Sequence, residues 1–419
     1  MSPPVSAAKS ESETRFRRGP LRVAIACEFE TLNGGEQSLL AVLNELSRSE
    51  SSSRHALCGE SSDGEFVPLV LAPATGPLAD ALAQAGITHR PFAWRDSQGR
   101  RLSDESIHRQ LHATCESWSP HLLHANSLSI SKILGGLAKD LPVPCTGHLR
   151  DIVRLSRRAV GHLNGIARMV TVSKATRDFH QAQGVDGGRM VVIHNGIDTT
   201  RFHPHNRVDD RQQLFSALQL PDDALVAVTV GQICLRKGHD LLAAMAIELK
   251  DRLPRLHFLV VGERYSEKLE SVSFERDFMA AFERAGMSQR LHRLGYRDDI
   301  PALMHAADLV IHPARQEPLG RVLLEAAGCG RPIIAANVGG TNEILEDSLS
   351  ARLVTPGDGP QWADAVFEVL TSPSLSARLE SGSLAASQRF RIADRARDLL
   401  AFWQTESRTI ISADCSSVP

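Results

Sequence analysis

The chain has 419 residues, 42% of them hydrophobic, and a formal net charge of -2. That length supports two domains with cores of their own, and the near balance of charge excludes the strongly basic footprint of a nucleic-acid binder. Seven cysteines, at 27, 58, 115, 145, 234, 329 and 415 with no C-x-x-C pair, read as reduced thiols of a cytosolic protein.

No uninterrupted apolar run reaches membrane-spanning length. Residues 1–20 lack the apolar stretch of a secretory signal and read as a disordered tail rich in Ser and Arg. Leu21 to Cys27 then predicts a first strand. Asn33-Gly34-Gly35 leads into a helix from Glu36 to Leu46, apolar at 39, 40, 43 and 46. Strand, glycine turn and helix make a phosphate-type geometry, without a G-x-G-x-x-G fingerprint. The plain alternative for Gly34 and Gly35 is a tight turn that needs glycine for its backbone angles.

Val67 to Ala72 predicts a strand, Leu78 to Ala85 a helix, and residues 94–104 an exposed loop. Ser106 to Ser117 predicts a helix, Leu122 to Ala125 a strand, Ile130 to Leu141 a helix and Val143 to Thr146 a buried strand. That strand runs into Gly147-His148-Leu149-Arg150-Asp151. A His and an Arg at a strand's carboxyl end stand where doubly wound sheets hold ligands; a capping or structural histidine is the alternative. Ile152 to Leu163, with Arg154, Arg157 and Arg158, reads as a helix with a solvated face. A basic surface for an anionic acceptor or a membrane is the second reading. Strands at Met169 to Val172 and Met190 to Ile193 flank a helix capped by Ser173, and an Asn195-Gly196 turn follows.

Residues 204–224 are polar, carry Pro204 and Pro221, and read as the linker. The second half opens with a strand, Ala224 to Val230, and the turn Gly231 to Gly238. Lys237, at a strand's carboxyl end and followed by Gly238, is placed to neutralise a diphosphate. Further strands are predicted at Leu256 to Val261 and Leu291 to Leu294, with 264–277 a charged insertion and Phe278 to Gly286 a helix. Leu309 to Ile311 is a buried strand, 312–320 a polar turn, and Arg321 to Ala327 a helix that stops at Gly328 and Gly330. A strand from Ile333 to Ala336, then Gly339-Gly340, repeats the unit, which implies a parallel sheet. Glu317 falls in the loop and Glu325 inside the helix. The helix N-terminus near Leu319 and Gly320 offers N–H groups to a phosphate, and the two carboxylates offer acceptors to hydroxyls. A sugar joined to a diphosphate presents that combination. Beyond it come a strand at Arg352 to Val354 and helices at Trp362 to Leu370, Pro373 to Gly382 and Ile392 to Gln404.

Glu317, seven residues, Glu325, then Cys329-Gly330, a strand, Gly339-Gly340 and Glu343 resemble the donor signature of the retaining glycosyltransferases called family 4, or group 1. Lys237-Gly238 and the turn Asn195-Gly196-Ile197-Asp198 fit the same pattern. Gln232 departs from it, standing where an Arg is usual. The resemblance implies the GT-B fold: two Rossmann-like α/β domains with parallel sheets facing a cleft. The expected boundaries are a tail at 1–20, an acceptor-side domain at 21–205, a donor-side domain at 206–390, a helix crossing back at 391–404 and a tail at 405–419.

It further implies transfer of a sugar from a nucleotide-diphosphate donor, UDP-linked by default, with retention at the anomeric carbon. No cofactor or metal is implied, and no Asp-x-Asp clamp is evident. His148 would meet the transferred sugar. Lys237, Arg236, the amides of Gly34 and Gly35 and the Pro318-Leu319-Gly320-Arg321 turn would hold the diphosphate. Glu317 would bind sugar hydroxyls, Glu325 the ribose, and Tyr296 and Arg297 the base. The partners are a nucleotide sugar and an acceptor that is a sugar, a lipid-linked sugar or a small alcohol. A cytoplasmic location, with room for peripheral contact at the membrane's inner face, goes with this. The oligomeric state stays open. So do two other functions: a non-catalytic two-lobed binder of nucleotide or sugar, and another GT-B enzyme such as a nucleotide-sugar epimerase or a phosphorylase.

Overall fold

A computed structural model of the chain describes residues 19–56 and 65–414. The chain divides into two compact α/β units, each built on a wholly parallel sheet. Most of the expected tail at 1–20 lies outside the described residues.

The first unit holds β1 (Leu21–Ala26), β2 (Phe66–Ala72), β3 (His89–Pro91), β4 (Leu122–Ala125), β5 (Cys145–Leu149), β6 (Arg168–Thr171) and β7 (Met190–Val192). Their order across the sheet is β3-β2-β1-β4-β5-β6-β7. The inner strands are short apolar runs because both faces are covered by helices. Val23, Ile25 and Cys27 pack on one face, Ala24 and Ala26 on the other. The helix Gly34–Ala56 covers the first face together with the C-terminal helix Ile392–Asp414. In that layer Trp403 is fully buried and stacks on Phe66 with ring centroids 5.3 Å apart.

The second unit holds β8 (Leu225–Val230), β9 (Leu256–Val261), β10 (Leu291–Gly295), β11 (Leu309–His312), β12 (Ile333–Ala336) and β13 (Arg352–Val354). Its order is β10-β9-β8-β11-β12-β13. In both sheets the order reverses beside the first strand, between β1 and β4 and between β8 and β11. In doubly wound sheets the loops leaving such a reversal diverge to opposite faces and open a crevice, the usual ligand place.

Several boundaries differ from the sequence reading. The division falls at Gly196/Ile197, ahead of the expected 205/206. The reason is local: the Ile197 N–H donates to Phe390 O, and Arg207 and Arg211 pair with Asp308, so this stretch is tied to the second unit. The last helix does not stop at residue 404 but runs to Asp414, which corrects the expected tail at 405–419. Leu269–Arg284 forms one helix, most of it inside the expected charged insertion, and Phe278 and Phe282 bury its inner face. The basic helix begins only at Arg157, capped by Ser156, not at Ile152. Among the described residues no helix is long and apolar enough to cross a membrane.

Candidate active site

In the second unit, β8 and β11 deliver one cluster from the two sides of the reversal. β8 ends at Val230, and a short 3-10 turn, Leu235–Lys237, presents Lys237. β11 ends at His312, and the loop beyond it carries Glu317. Lys237 Nζ donates to Glu317 Oε2 at 2.7 Å. His312 Nε2 lies 2.7 Å from the same oxygen. Both carboxylate and imidazole are buried, Glu317 6% and His312 2% exposed.

The loop is held by close backbone packing. A Cβ on Gly238, which has φ +76, would stand 1.9 Å from Pro313 O. One on Gly339, with φ +52, would stand 2.0 Å from Glu317 O, and Gly340 N–H donates to that same carbonyl. The K-G and V-G-G pieces of the sequence pattern therefore act as seats for the Glu317 loop. Glu343 serves the same surface: its carboxylate accepts the N–H groups of Lys174 and Ala175 at 2.9 Å each. Pro318 O accepts Ser173 Oγ at 2.5 Å.

Burial by itself would raise the Glu317 carboxyl. The Lys237 ammonium and the His312 hydrogen bond outweigh it, and the group is held well below the usual carboxylate range. His312 is lowered from the ordinary histidine value by burial first and then by Lys237. At neutral pH the cluster is a carboxylate, an ammonium and a neutral imidazole.

Gly320, left-handed and without a side-chain cap, opens the helix Arg321–Gly328. Leu319 is buried beside it. Glu325, on the first turns of that helix, is buried and pairs with Arg321 at 2.9 Å rather than with Lys237. Arg236 is exposed, next to Lys237. Tyr296 is exposed at the end of β10, and its N–H reaches Glu263 Oε1 at 3.3 Å. Arg297 turns to Asp299, with bonds of 2.8 and 2.5 Å. Glu263, Arg264, Glu275, Arg293 and Gly295 line an open polar cleft of about 490 Å³ at this edge. Among the described residues no group of three or more His, Cys, Asp or Glu side chains is placed to hold a metal ion.

The first unit builds a separate cluster around Arg150, just past β5. Its Nε donates to Asn126 O at 3.0 Å, and its terminal nitrogens to Asn195 Oδ1 at 2.8 Å and Asn126 Oδ1 at 3.0 Å. A further contact, at 3.1 Å, is to His148 Nδ1. His148 is buried, and its Nε2 has no partner. Burial, with Arg150 and His124 adding to it, lowers His148 well below the ordinary histidine value. Gly34 opens the helix over the sheet, and a Cβ on Gly35 would lie 3.3 Å from Arg150 Cδ. Neither glycine takes a positive φ, so the turn does not demand glycine for its angles.

One residue escaped the sequence reading, and another was read without its partners. His312 appeared only as the start of a turn, although a polar residue closing a buried apolar run was a signal. Arg150 was noted as a cation at a ligand end; nothing in the sequence says that its donors are spent on Asn126, Asn195 and His148.

Two parallel α/β units with ligand-type clusters at their strands' carboxyl ends define the GT-B class. Residues 63–201 match the family described as glycosyltransferase family 4, and residues 224–372 the family described as glycosyl transferases group 1. The D-inositol 3-phosphate glycosyltransferase of Salinispora tropica is 31% identical over 319 residues, covering 72% of this chain and 63% of that protein. The enzyme of the same name from Saccharomonospora viridis is 34% identical over 283 residues, 66% of this chain and 62% of that one. The chain thus spans somewhat under two thirds of the length of these relatives. Anabaena HepE, solved in complex with UDP-glucose, superposes with a TM-score of 0.77 over 92% of this chain and all of its own, at 23% identity, a likeness of fold. The chain belongs to the family 4, group 1 glycosyltransferases.

Proposed function

We propose that this protein transfers a sugar from a UDP-linked donor to a hydroxyl of an acceptor, with retention at the anomeric carbon. The observation that carries the reading is the ionised Glu317 paired with Lys237 where the second sheet reverses its order. Relatives that bear glycosyltransferase names, and HepE with its bound UDP-glucose, support it.

The difficulty of the reaction is charge. As the bond between the anomeric carbon and the diphosphate oxygen breaks, negative charge grows on the leaving group and the sugar gains oxocarbenium character. Lys237, Arg236 and the helix N-terminus at Gly320 stabilise the first of these. Glu317 accepts sugar hydroxyls and holds the pose. The acceptor oxygen bonds to the anomeric carbon on the face the diphosphate leaves, and its proton passes to a diphosphate oxygen. Glu325 takes the ribose hydroxyls once Arg321 yields it, and Tyr296 and Arg297 border the base. The acceptor is a polyol, a lipid-linked sugar or a small alcohol.

The test is donor turnover. The wild type is screened with UDP-, ADP- and GDP-sugars for hydrolysis and for transfer to simple polyols. Lys237→Ala and Glu317→Ala then each lower turnover of the accepted donor by about a hundredfold, the cost of losing one preorganised charge contact. A wild type inert toward every donor, or either variant working at the wild-type rate, refutes the reading.

A further inference from the structure

We infer that His312 is the positioning residue of the donor site: its Nε2–H fixes the Glu317 carboxylate so that Oε2 is occupied and Oε1 alone is presented to the ligand. This rests on the donor-site reading above and adds a residue and a role to it.

The geometry is asymmetric in a way a mere ion pair does not require. Both donors, Lys237 Nζ and His312 Nε2, meet the same oxygen at 2.7 Å. Oε1 makes no hydrogen bond with the protein, yet it is not among the buried polar atoms that lack a partner, so it has an open side. A carboxylate with both oxygens bonded would have nothing left for a hydroxyl; one held by a single flexible lysine would swing. Two donors from different elements, the β8 turn and the end of β11, remove that freedom.

The chemistry settles the ring's state. An ionised carboxylate only accepts, so the proton of a neutral imidazole must sit on Nε2. Every charged or titratable neighbour acts on that state. Glu317 favours the imidazolium, while Lys237 and Arg236 disfavour it, and burial outweighs them all. His239, fully buried on the helix packed alongside, is also kept neutral and adds no competing charge. The neutral ring therefore fixes the acceptor without adding a charge of its own. An exposed, titrating histidine would not do this.

The measurement separates the sugar's share of binding from the nucleotide's. Calorimetric affinities are taken for three pairs, UDP-glucose with UDP, ADP-glucose with ADP, and GDP-mannose with GDP, on wild type, His312→Leu, His312→Gln and His312→Asn. For the pair the wild type accepts, His312→Leu weakens the nucleotide sugar about tenfold, the scale of one charge-assisted hydrogen bond, and leaves the bare diphosphate within about twofold. Gln, whose amide nitrogen reaches the Nε2 position, restores most of the loss; Asn, which is shorter, does not. Equal weakening of sugar nucleotide and bare nucleotide, or no weakening, overturns the inference while the donor site stands. A wild type that binds no member of any pair removes both. Nitrogen NMR of the ligand-free wild type adds a reading that needs no variant to fold. It should show His312 as the neutral Nε2–H tautomer throughout about pH 6 to 8, and a ring that titrates in that range or carries its proton on Nδ1 overturns the inference.

Discussion

Each unit places a buried histidine at a strand's carboxyl end; burial keeps both rings neutral, and their nearest charged partners have opposite sign. His312 stands beside a carboxylate and gives its Nε2–H to it. His148 stands beside a guanidinium and must accept at Nδ1, which puts its proton on Nε2 as well. The tautomer is the same and the consequence is not. In the second unit the N–H is spent on orienting Glu317. In the first it has no partner. One histidine serves another side chain, and the other is left with a donor to offer. The difference shows that a residue type at a favoured place in a fold does not define a role; the partner that consumes its proton does.

Acid is the broadest way to break the comparison, because it attacks both histidines at once. His124 is held at about 3 and His239 at about 4, burial being the main cause in each. His148 and His312 are also lowered. Groups whose folded value lies below the unfolded one contribute full stability above the unfolded value, near 6.5, and lose it as pH falls, because the unfolded chain takes up protons that the folded one refuses. Glu317 works the same way over a lower window. Glu36, raised by burial, works in the opposite direction and offsets part of the loss. Melting followed from about pH 7 to about pH 5 should fall by an amount equivalent to about 2 kcal/mol for each strongly depressed histidine. A melting temperature flat across that range contradicts the assignment of neutral buried rings.

A narrower change separates the units. Arg150→Ala removes a donor set that serves Asn126, Asn195 and His148 in the first unit alone. Hydrogen bonds to a charged group are worth ~1.5–3 kcal/mol each, and partial relaxation leaves a net loss of about 2 kcal/mol. Denaturation curves should show it, with nucleotide affinity at the second unit within about twofold of wild type. A loss below about 0.5 kcal/mol would mean that these bonds of the guanidinium are replaceable by water.

Much of this was legible in the residues. Apolar runs of strand length, each followed by a polar turn and a helix, predicted the parallel sheets, and the interval between Glu317 and Glu325 with the Lys237-Gly238 turn pointed to the donor side. The pairing of Lys237 with Glu317 was not legible. It joins side chains 80 positions apart, brought together only when β8 and β11 become neighbours. The pairing of Glu325 with Arg321, one turn away on the same helix, was not read from the sequence either. Only the second half of the Leu269–Arg284 helix was legible, because charges crowd its start while the phenylalanines that bury it come late. The end of the last helix was misplaced because polar residues 404–408 interrupt its apolar stripe just beyond Trp403.

The account turns on Glu317 and Lys237 receiving one activated sugar, and a structure of the chain with its accepted nucleotide sugar addresses that most directly. The prediction is a sugar hydroxyl within hydrogen-bond reach of Glu317 Oε1, a diphosphate oxygen against Lys237, and the His312–Glu317 bond intact. A nucleotide sugar seated away from both side chains, or a Glu317 that keeps only its protein partners, would contradict it.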